Sequence, residues 1–264
     1  MTDPCLTLKE IVFAYGDRPV VNNVSQVIEG GLFYGLLGPN GCGKTTLLDL
    51  MSGFRRPDAG TVSFRDRPLR TMKGRALAQC LSLVSQDFYI DFPFTVREVV
   101  MMGRYPHIGR FAAPSETDCR RVEEVMAITD VARFGDHPVT ELSGGERQRT
   151  VFARALAQGT AVLLLDEATS NLDIKHTIRL LDIVRRKVKD DGLTVVSVFH
   201  DINLAAVYCD RIILMKDGVV AAAGPTEKMM DAGLLEQVFE VESEIRFEPA
   251  YRASQAVFKM NRAG

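Results

Sequence analysis

The run Gly38, Pro39, Asn40, Gly41, Cys42, Gly43, Lys44, Thr45 carries the plainest chemistry in this sequence. It satisfies G-x-x-x-x-G-K-[ST] between an apolar stretch, Leu32 to Leu37, and residues with helical periodicity. Glycines at those places let successive backbone N–H groups turn inward around phosphate oxygens, and the N-terminus of the following helix adds a favourable dipole. The Lys44 ammonium suits β- and γ-phosphates as a point charge, and the Thr45 hydroxyl suits Mg2+. With Thr46, these are the expected triphosphate-binding residues.

A second run, Val162 to Glu167 (VLLLDE), is an apolar strand that delivers two carboxylates at its C-terminal end, where ligands of open α/β sheets collect. Asp166 is expected to reach the metal through water. Glu167 is expected to polarise an attacking water as general base. Taken alone, such an acidic pair is more often a loop start or a helix cap; paired with the phosphate loop, the hydrolytic reading prevails.

Leu142 to Glu146 (LSGGE), followed by Arg147, Gln148 and Arg149, places a serine and two glycines ahead of a helix, and Ser143 with Glu146 fits a capping box. The bland reading is a capped helix. Order and spacing decide otherwise: phosphate loop, then this run, then the acidic strand about twenty residues later. In that arrangement the chain resembles the ATP-binding subunits of ABC transporters from Leu6 to about Gly224.

The resemblance implies roles residue by residue. Tyr15 matches the aromatic that stacks on adenine, Gln86 the glutamine that contacts Mg2+ and water, Asp173 the loop that crosses to a partner subunit, and His200 the histidine that holds the γ-phosphate. It also implies a homodimer in which Ser143, Gly144, Gly145 and Glu146 of one copy close on the ATP held by the phosphate loop of the other. Work is then passed to separate transmembrane permease subunits, with an extracytoplasmic substrate-binding protein acting indirectly. Phe92 to Phe111 (FPFTVREVVMMGRYPHIGRF) and His200 to Ala205 (HDINLA) resemble the subunits that serve iron–siderophore, haem and cobalamin importers, ferric siderophore ranking first. Two positions depart from the family pattern. Cys42 stands where serine is common and Ala168 where proline usually follows the acidic pair. A thiol in a positive loop is expected to favour thiolate, unless Cys42 is merely a tolerated small residue.

The elements that must position these groups follow from patterning. Leu6 to Tyr15 reads as a half-buried strand at an antiparallel sheet edge. Leu47, Leu50, Met51 and Phe54 recur at helical spacing, with Gly53 and Pro57 closing that helix. From Phe94 to Thr140 β-branched runs vanish, and Val122, Val125 and Met126 share a helical face behind a cap at Ser115. Buried strands at Val162 to Leu165 and Leu193 to Phe199 alternate with helices, which favours a parallel sheet covered on both faces. The expected fold is α/β: a P-loop NTPase core of the ABC ATPase kind over about 1–93 and 141–264, mostly parallel, with an N-terminal antiparallel β portion and a helical subdomain over about 94–140. The tail beyond Gly224 has mixed periodicity and stays unclassified.

Composition narrows the partners. A formal charge of −2 with both signs abundant lacks the positive excess of a phosphate-backbone binder, so nucleic acid is not expected. Five cysteines without a CxxC pair argue for free thiols. The N-terminus has neither a basic start nor an apolar stretch, and no apolar run nears the roughly 18 residues of a membrane span. The expected location is the cytoplasmic face of a membrane, held through the permease. The rivals are a soluble ABC ATPase acting on DNA or ribosomes and a P-loop metabolite kinase. The first usually carries coiled-coil inserts or paired cassettes, and the second has no use for LSGGE; a non-catalytic switch has none for Glu167 and His200.

Overall fold

Apolar residues spaced along the N-terminal segment produce a long strand, β1 (Pro4–Tyr15), in a computed structural model that describes residues 3–85, 92–170 and 172–259. It pairs antiparallel with β2 (Arg18–Glu29), from Leu6 opposite Ile28 to Tyr15 opposite Arg18. β3 (Phe33–Leu37), five buried residues, then runs into the glycine-rich loop and α1 (Lys44–Ser52). The chain returns as β4 (Ala59–Phe64), on the other side of β1, followed by β5 (Arg67–Pro68), giving a four-stranded sheet ordered β2-β1-β4-β5. This corrects the expectation of a sheet edge: β1 has a neighbour on both sides, and Leu6, Leu8 and Ile11 are buried.

In α1 the expected face is present through Leu47, Leu50 and Met51, all buried, but Phe54 is not on it. Gly53 adopts the left-handed conformation and its N–H closes on Leu50 O at 3.2 Å, so the helix stops first and Phe54 is 75% exposed.

Residues up to Arg70 and from Thr194 onward form one compact unit, and Thr71–Leu193 forms a second. The second begins with α2 (Gly74–Ala78) and β6 (Leu81–Val84), then α3 (Val96–Met102) and α4 (Glu116–Ile128). After short 3-10 turns come α5 (Gly144–Gln158), β7 (Val162–Leu165) and α6 (Ile174–Asp191). Helices dominate because their starts are specified: Thr95, Ser115 and Ser143 each form a reciprocal capping box with Glu98, Asp118 and Glu146. Arg104 fastens them together, donating to Asp118 at 2.9 Å and to Ala157 O at 2.7 Å. The Ser115 hydroxyl, with Arg104 next, holds the Asp118 carboxyl at about 2. β6 and β7 pair in parallel, Leu81 beside Val162 through Val84 beside Leu165, and α6 buries Thr177, Leu180, Leu181, Val184 and Val188 along one stripe.

The chain re-enters the first unit as β8 (Thr194–Val198), wholly buried, then α7 (Ile202–Tyr208), β9 (Arg211–Lys216) and β10 (Val219–Pro225). β8 and β9 flank β3, both parallel to it, and β10 lies antiparallel on β9. Strands buried on both faces explain why Phe33 to Leu37 and Thr194 to Val198 read as continuous runs without alternation. The unclassified tail contains α8 (Thr226–Met229), α9 (Ala232–Phe239) and a hairpin of β11 (Ser243–Glu248) with β12 (Ala253–Phe258). Asn203 pins the hairpin to α7: its amide donates to Ala256 O at 3.1 Å and accepts from Ala256 N at 2.7 Å. Among the described residues no helix is long and apolar enough to cross a membrane.

Candidate functional site

The loop after β3 is shaped by what it excludes. A Cβ on Gly38 would lie 2.2 Å from the Met215 carbonyl oxygen and 2.8 Å from Cys42 Sγ, and one on Gly43, at φ 101°, would lie 2.7 Å from the Val20 carbonyl oxygen. Only glycine fits either place. Gly43 is also the N-cap of α1 and has no side chain to cap it. Lys44 is buried, its Nζ donating to the carbonyls of Gly38 at 2.8 Å and Pro39 at 2.9 Å. This fixes the ammonium over the loop it belongs to. Asn40, Gly41 and Thr45 are exposed and Pro39 is half-buried, while Thr46 is buried, its Oγ1 3.4 Å from the Tyr15 hydroxyl.

Cys42 corrects an expectation. The residue is buried, and burial pushes its thiol up; the nearby Lys44 ammonium only partly offsets this. Desolvation wins over the positive loop, so the thiol stays protonated at neutral pH.

His200 follows from β8. The ladder with β3 runs from Phe33 beside Val195 to Leu36 beside Val198, and Phe199 N extends it by donating to Leu36 O at 3.1 Å. His200 comes next and is exposed. Asp201 then caps α7, accepting from Asn203 N at 2.8 Å and Leu204 N at 3.1 Å. Parallel pairing thus puts His200 and the phosphate loop at the same C-terminal strand edge of this unit. Tyr15, at the end of β1, meets Phe13 edge-on at 5.0 Å and is 45% exposed.

In the second unit β7 delivers Asp166, buried, whose N–H donates to Val84 O at 2.8 Å. Glu167 follows with φ 49°, a left-handed conformation that a non-glycine residue adopts at a cost of about 1–2 kcal/mol. Such outliers concentrate where a side chain must be aimed. Gln148 Nε2 donates to Ala168 O at 3.1 Å, tying α5 to the segment that bears the pair. Sequence reasoning gave Gln148 no role; its place in an otherwise apolar face of α5 was the available signal.

At the start of α5, Ser143 Oγ donates to Glu146 Oε2 at 2.7 Å, Ser143 N donates to the same oxygen at 2.9 Å, and Glu146 N donates back to Ser143 Oγ at 3.4 Å. Hydrogen bonds from the Ser143 hydroxyl hold the Glu146 carboxyl below the usual range. Ser143 and Gly144 are exposed, and Gly145 is half-buried. Asp173 caps α6, accepting from His176 N at 2.8 Å and pairing with His176 Nδ1 at 2.7 Å, which lowers its carboxyl. Gln86 lies outside the described residues.

Tyr15, Gly38 to Thr46 and His200 are therefore grouped within the first unit, and Asp166, Glu167 and Ser143 to Glu146 within the second. Among the described residues no cluster of three or more His, Cys, Asp or Glu could hold a metal ion. Mg2+ held mainly by phosphate and water needs only one or two protein ligands, and within the first unit the exposed Thr45 hydroxyl is of the type that serves as one.

Residues 21–170 match the family model described as ABC transporter. The iron(3+)-hydroxamate import ATP-binding protein FhuC of Bacillus subtilis is 36% identical over 244 residues, 92% of this chain and 91% of that protein. The cobalamin import ATP-binding protein BtuD of Halobacterium salinarum is 42% identical over 231 residues, 88% of this chain but 58% of that protein, so this chain spans about three-fifths of that relative's length. A dimeric ATP-binding cassette in a post-hydrolysis state, bound to ADP and Pi, superimposes with a TM-score of 0.74 at 30% identity, over 84% of this chain and 98% of that one.

Proposed function

This chain belongs to the ABC transporter family, and from that premise we propose that it is the ATP-binding and ATP-hydrolysing subunit of an importer of metal chelates. The transported class is a ferric siderophore first, with cobalamin or haem next. The support is that relatives of this similarity are named for import of iron(3+)-hydroxamate, cobalamin and hemin. Two copies bind ATP between them, and separate permease subunits anchor the pair at the cytoplasmic face of the membrane.

The observation that carries this reading is a duplication. The chain has two glycine-bearing helix N-termini suited to phosphate, one at Gly43 and Lys44, the other exposed at Ser143 and Gly144. A protein that held nucleotide within one copy would need only the first.

In the proposed cycle the loop from Gly38 to Thr46 cradles the triphosphate, Tyr15 stacks on the base, and Lys44 neutralises the β- and γ-phosphates. Mg2+, when bound, neutralises charge on the phosphates, with Thr45, Asp166 and Gln86 as its protein-side partners. Ser143, Gly144 and Gly145 of the other copy, with Glu146 behind them, complete the enclosure, and Asp173 belongs to the crossing between copies. Glu167 takes the proton of the attacking water, and His200 holds the γ-phosphate oxygens. Hydrolysis removes the contacts that keep the copies together, and the dimer opens. Catalysis here is positioning and charge stabilisation rather than covalent chemistry.

The test is Glu167→Gln. Loss of the base should slow hydrolysis at least roughly a hundredfold while ATP still binds, so light scattering should find an ATP-dependent dimer. Near-normal turnover would remove Glu167 from its role, and an ATP-loaded monomer, with the permease present, would remove the shared site. The transported class is read separately, from which extracytoplasmic binding protein and chelate stimulate ATP turnover by the chain assembled with its permease. The kinase and nucleic-acid alternatives predict phosphate on a small acceptor, or stimulation by DNA or ribosomes.

A further inference from the structure

Beside Tyr15 stands a residue that sequence reasoning passed over. Arg55 lies three positions beyond the end of α1, and its guanidinium carbon sits 4.9 Å over the centre of the Tyr15 ring, 5.8 Å from that of Phe54 and 6.0 Å from that of Phe13. All lie within the reach of cation–π attraction, about 6 Å. The guanidinium does not hang free. Arg55 Nε donates to Asp49 Oδ2 at 3.0 Å and Arg55 N donates to Asp49 O at 3.2 Å, so side chain and backbone are both anchored to one residue of α1.

Tyr15 is consequently held at three places. Arg55 covers one face, Phe13 meets the ring at a right angle, and the hydroxyl is 3.4 Å from Thr46 Oγ1. A guanidinium on one face leaves a flat base the other. α1 also carries Lys44 and Thr46 at its first turn and Asp49 in its second, so a single rigid element sets both where phosphates are gripped and where the stacking ring stands. Fixing an aromatic platform before the ligand arrives removes an ordering cost from binding.

We infer that Arg55, anchored by Asp49, is a positioning residue for the purine base of the bound nucleotide, acting through the ring of Tyr15. This rests on the reading of Tyr15 as the base-stacking residue. The Arg55–Asp49 pair is only partly exposed, and any stability it contributes acts on the fold as a whole, so a merely structural Arg55 would change affinity for every ligand alike or for none. A positioning role changes only the part of the affinity that comes from the base.

The experiment compares MgATP with inorganic tripolyphosphate, which has the phosphates but no base, by titration calorimetry on the full chain. Arg55→Met keeps length and removes charge; it should weaken MgATP about fivefold, the size of one cation–π contact, and leave tripolyphosphate unchanged. In turnover the change should fall on KM rather than kcat. Arg55→Lys should restore part of the loss, and Asp49→Asn should reproduce it with Arg55 still present. Tyr15→Ala should weaken MgATP more, and adding Arg55→Met to it should cost nothing further.

Equal loss for MgATP and tripolyphosphate would overturn the inference, as would full affinity in Arg55→Met while Tyr15→Ala is weakened. Additive effects would overturn it too, by showing that Arg55 meets the base directly. If Tyr15→Ala itself binds MgATP normally, the stacking role assigned to Tyr15 fails first and this inference falls with it.

Discussion

The two helix N-termini offered to phosphate are built on opposite plans. α1 starts from Gly43 without a capping side chain, beside a glycine that admits no Cβ and a buried lysine. α5 starts from Ser143 with both halves of a capping box in place and lies exposed. The first lacks a cap from its N-cap residue and has its geometry locked by packing. The second is partly satisfied internally, with the Glu146 carboxylate accepting from the Ser143 N–H and hydroxyl. In the proposed cycle the first is a site ready before its ligand, and at the second an incoming phosphate competes with Glu146 for Ser143.

The sharpest way to break this contrast is to add one methyl group to each. Gly38→Ala drives a Cβ into the Met215 carbonyl at 2.2 Å, a backbone atom that cannot step aside. We expect a loss on the order of 3 kcal/mol, which lowers the melting temperature by roughly 6–12 °C in calorimetry. Gly144→Ala meets nothing within 4 Å and improves helix propensity in the first turn, so the melting temperature should hold or rise slightly. Its cost should appear only in ATP-dependent dimerisation of the Glu167→Gln background. Equal destabilisation by both would show that the two loops share one plan after all.

How far the sequence revealed this depends on how local each feature is. The phosphate loop, the caps at Ser115 and Ser143 and the buried runs of β3, β7 and β8 are written in neighbouring residues, and they stand where patterning put them. Features that depend on distant partners did not show. β1 is interior because β4, some fifty residues on, pairs with its free side, and nothing within Leu6 to Tyr15 declares that. Arg55 looks like a loop cation until the fold brings it over Tyr15. Phe54 fits the helical period, yet Gly53 ends the helix before it. The left-handed turn at Glu167 has no signature in residue type.

A middle-sized effect tests the locked character of the first loop through its thiol. Cys42 is buried and its thiol pushed up, whereas Cys119 is exposed. Thiolate is the reactive form, so iodoacetamide at pH 7.5, followed by peptide mass spectrometry, should label Cys119 at least about tenfold faster than Cys42. ATP should slow Cys42 further without touching Cys119. Rapid labelling of Cys42 would mean that the loop opens far more readily than its packing implies.

The smallest expected effect lies at the second N-terminus and turns on charge. Hydrogen bonds from Ser143 depress the Glu146 carboxyl, so the group contributes stability that is fully present above the ordinary glutamate value, about 4.3, and is lost as pH falls through the depressed one. Glu146→Gln keeps the box geometry, since glutamine can reach the same backbone N–H, and removes the charge. Above pH 6 the variant should melt no more than about 2 °C below the parent, and the difference should shrink as pH falls below the ordinary glutamate value and through the depressed one. Because the neutral amide competes less with phosphate than a carboxylate does, the same variant should form its ATP-dependent dimer at equal or lower ATP concentration in the Glu167→Gln background. Weaker ATP-dependent dimerisation would mean that Glu146 orders this N-terminus for phosphate instead of holding its place.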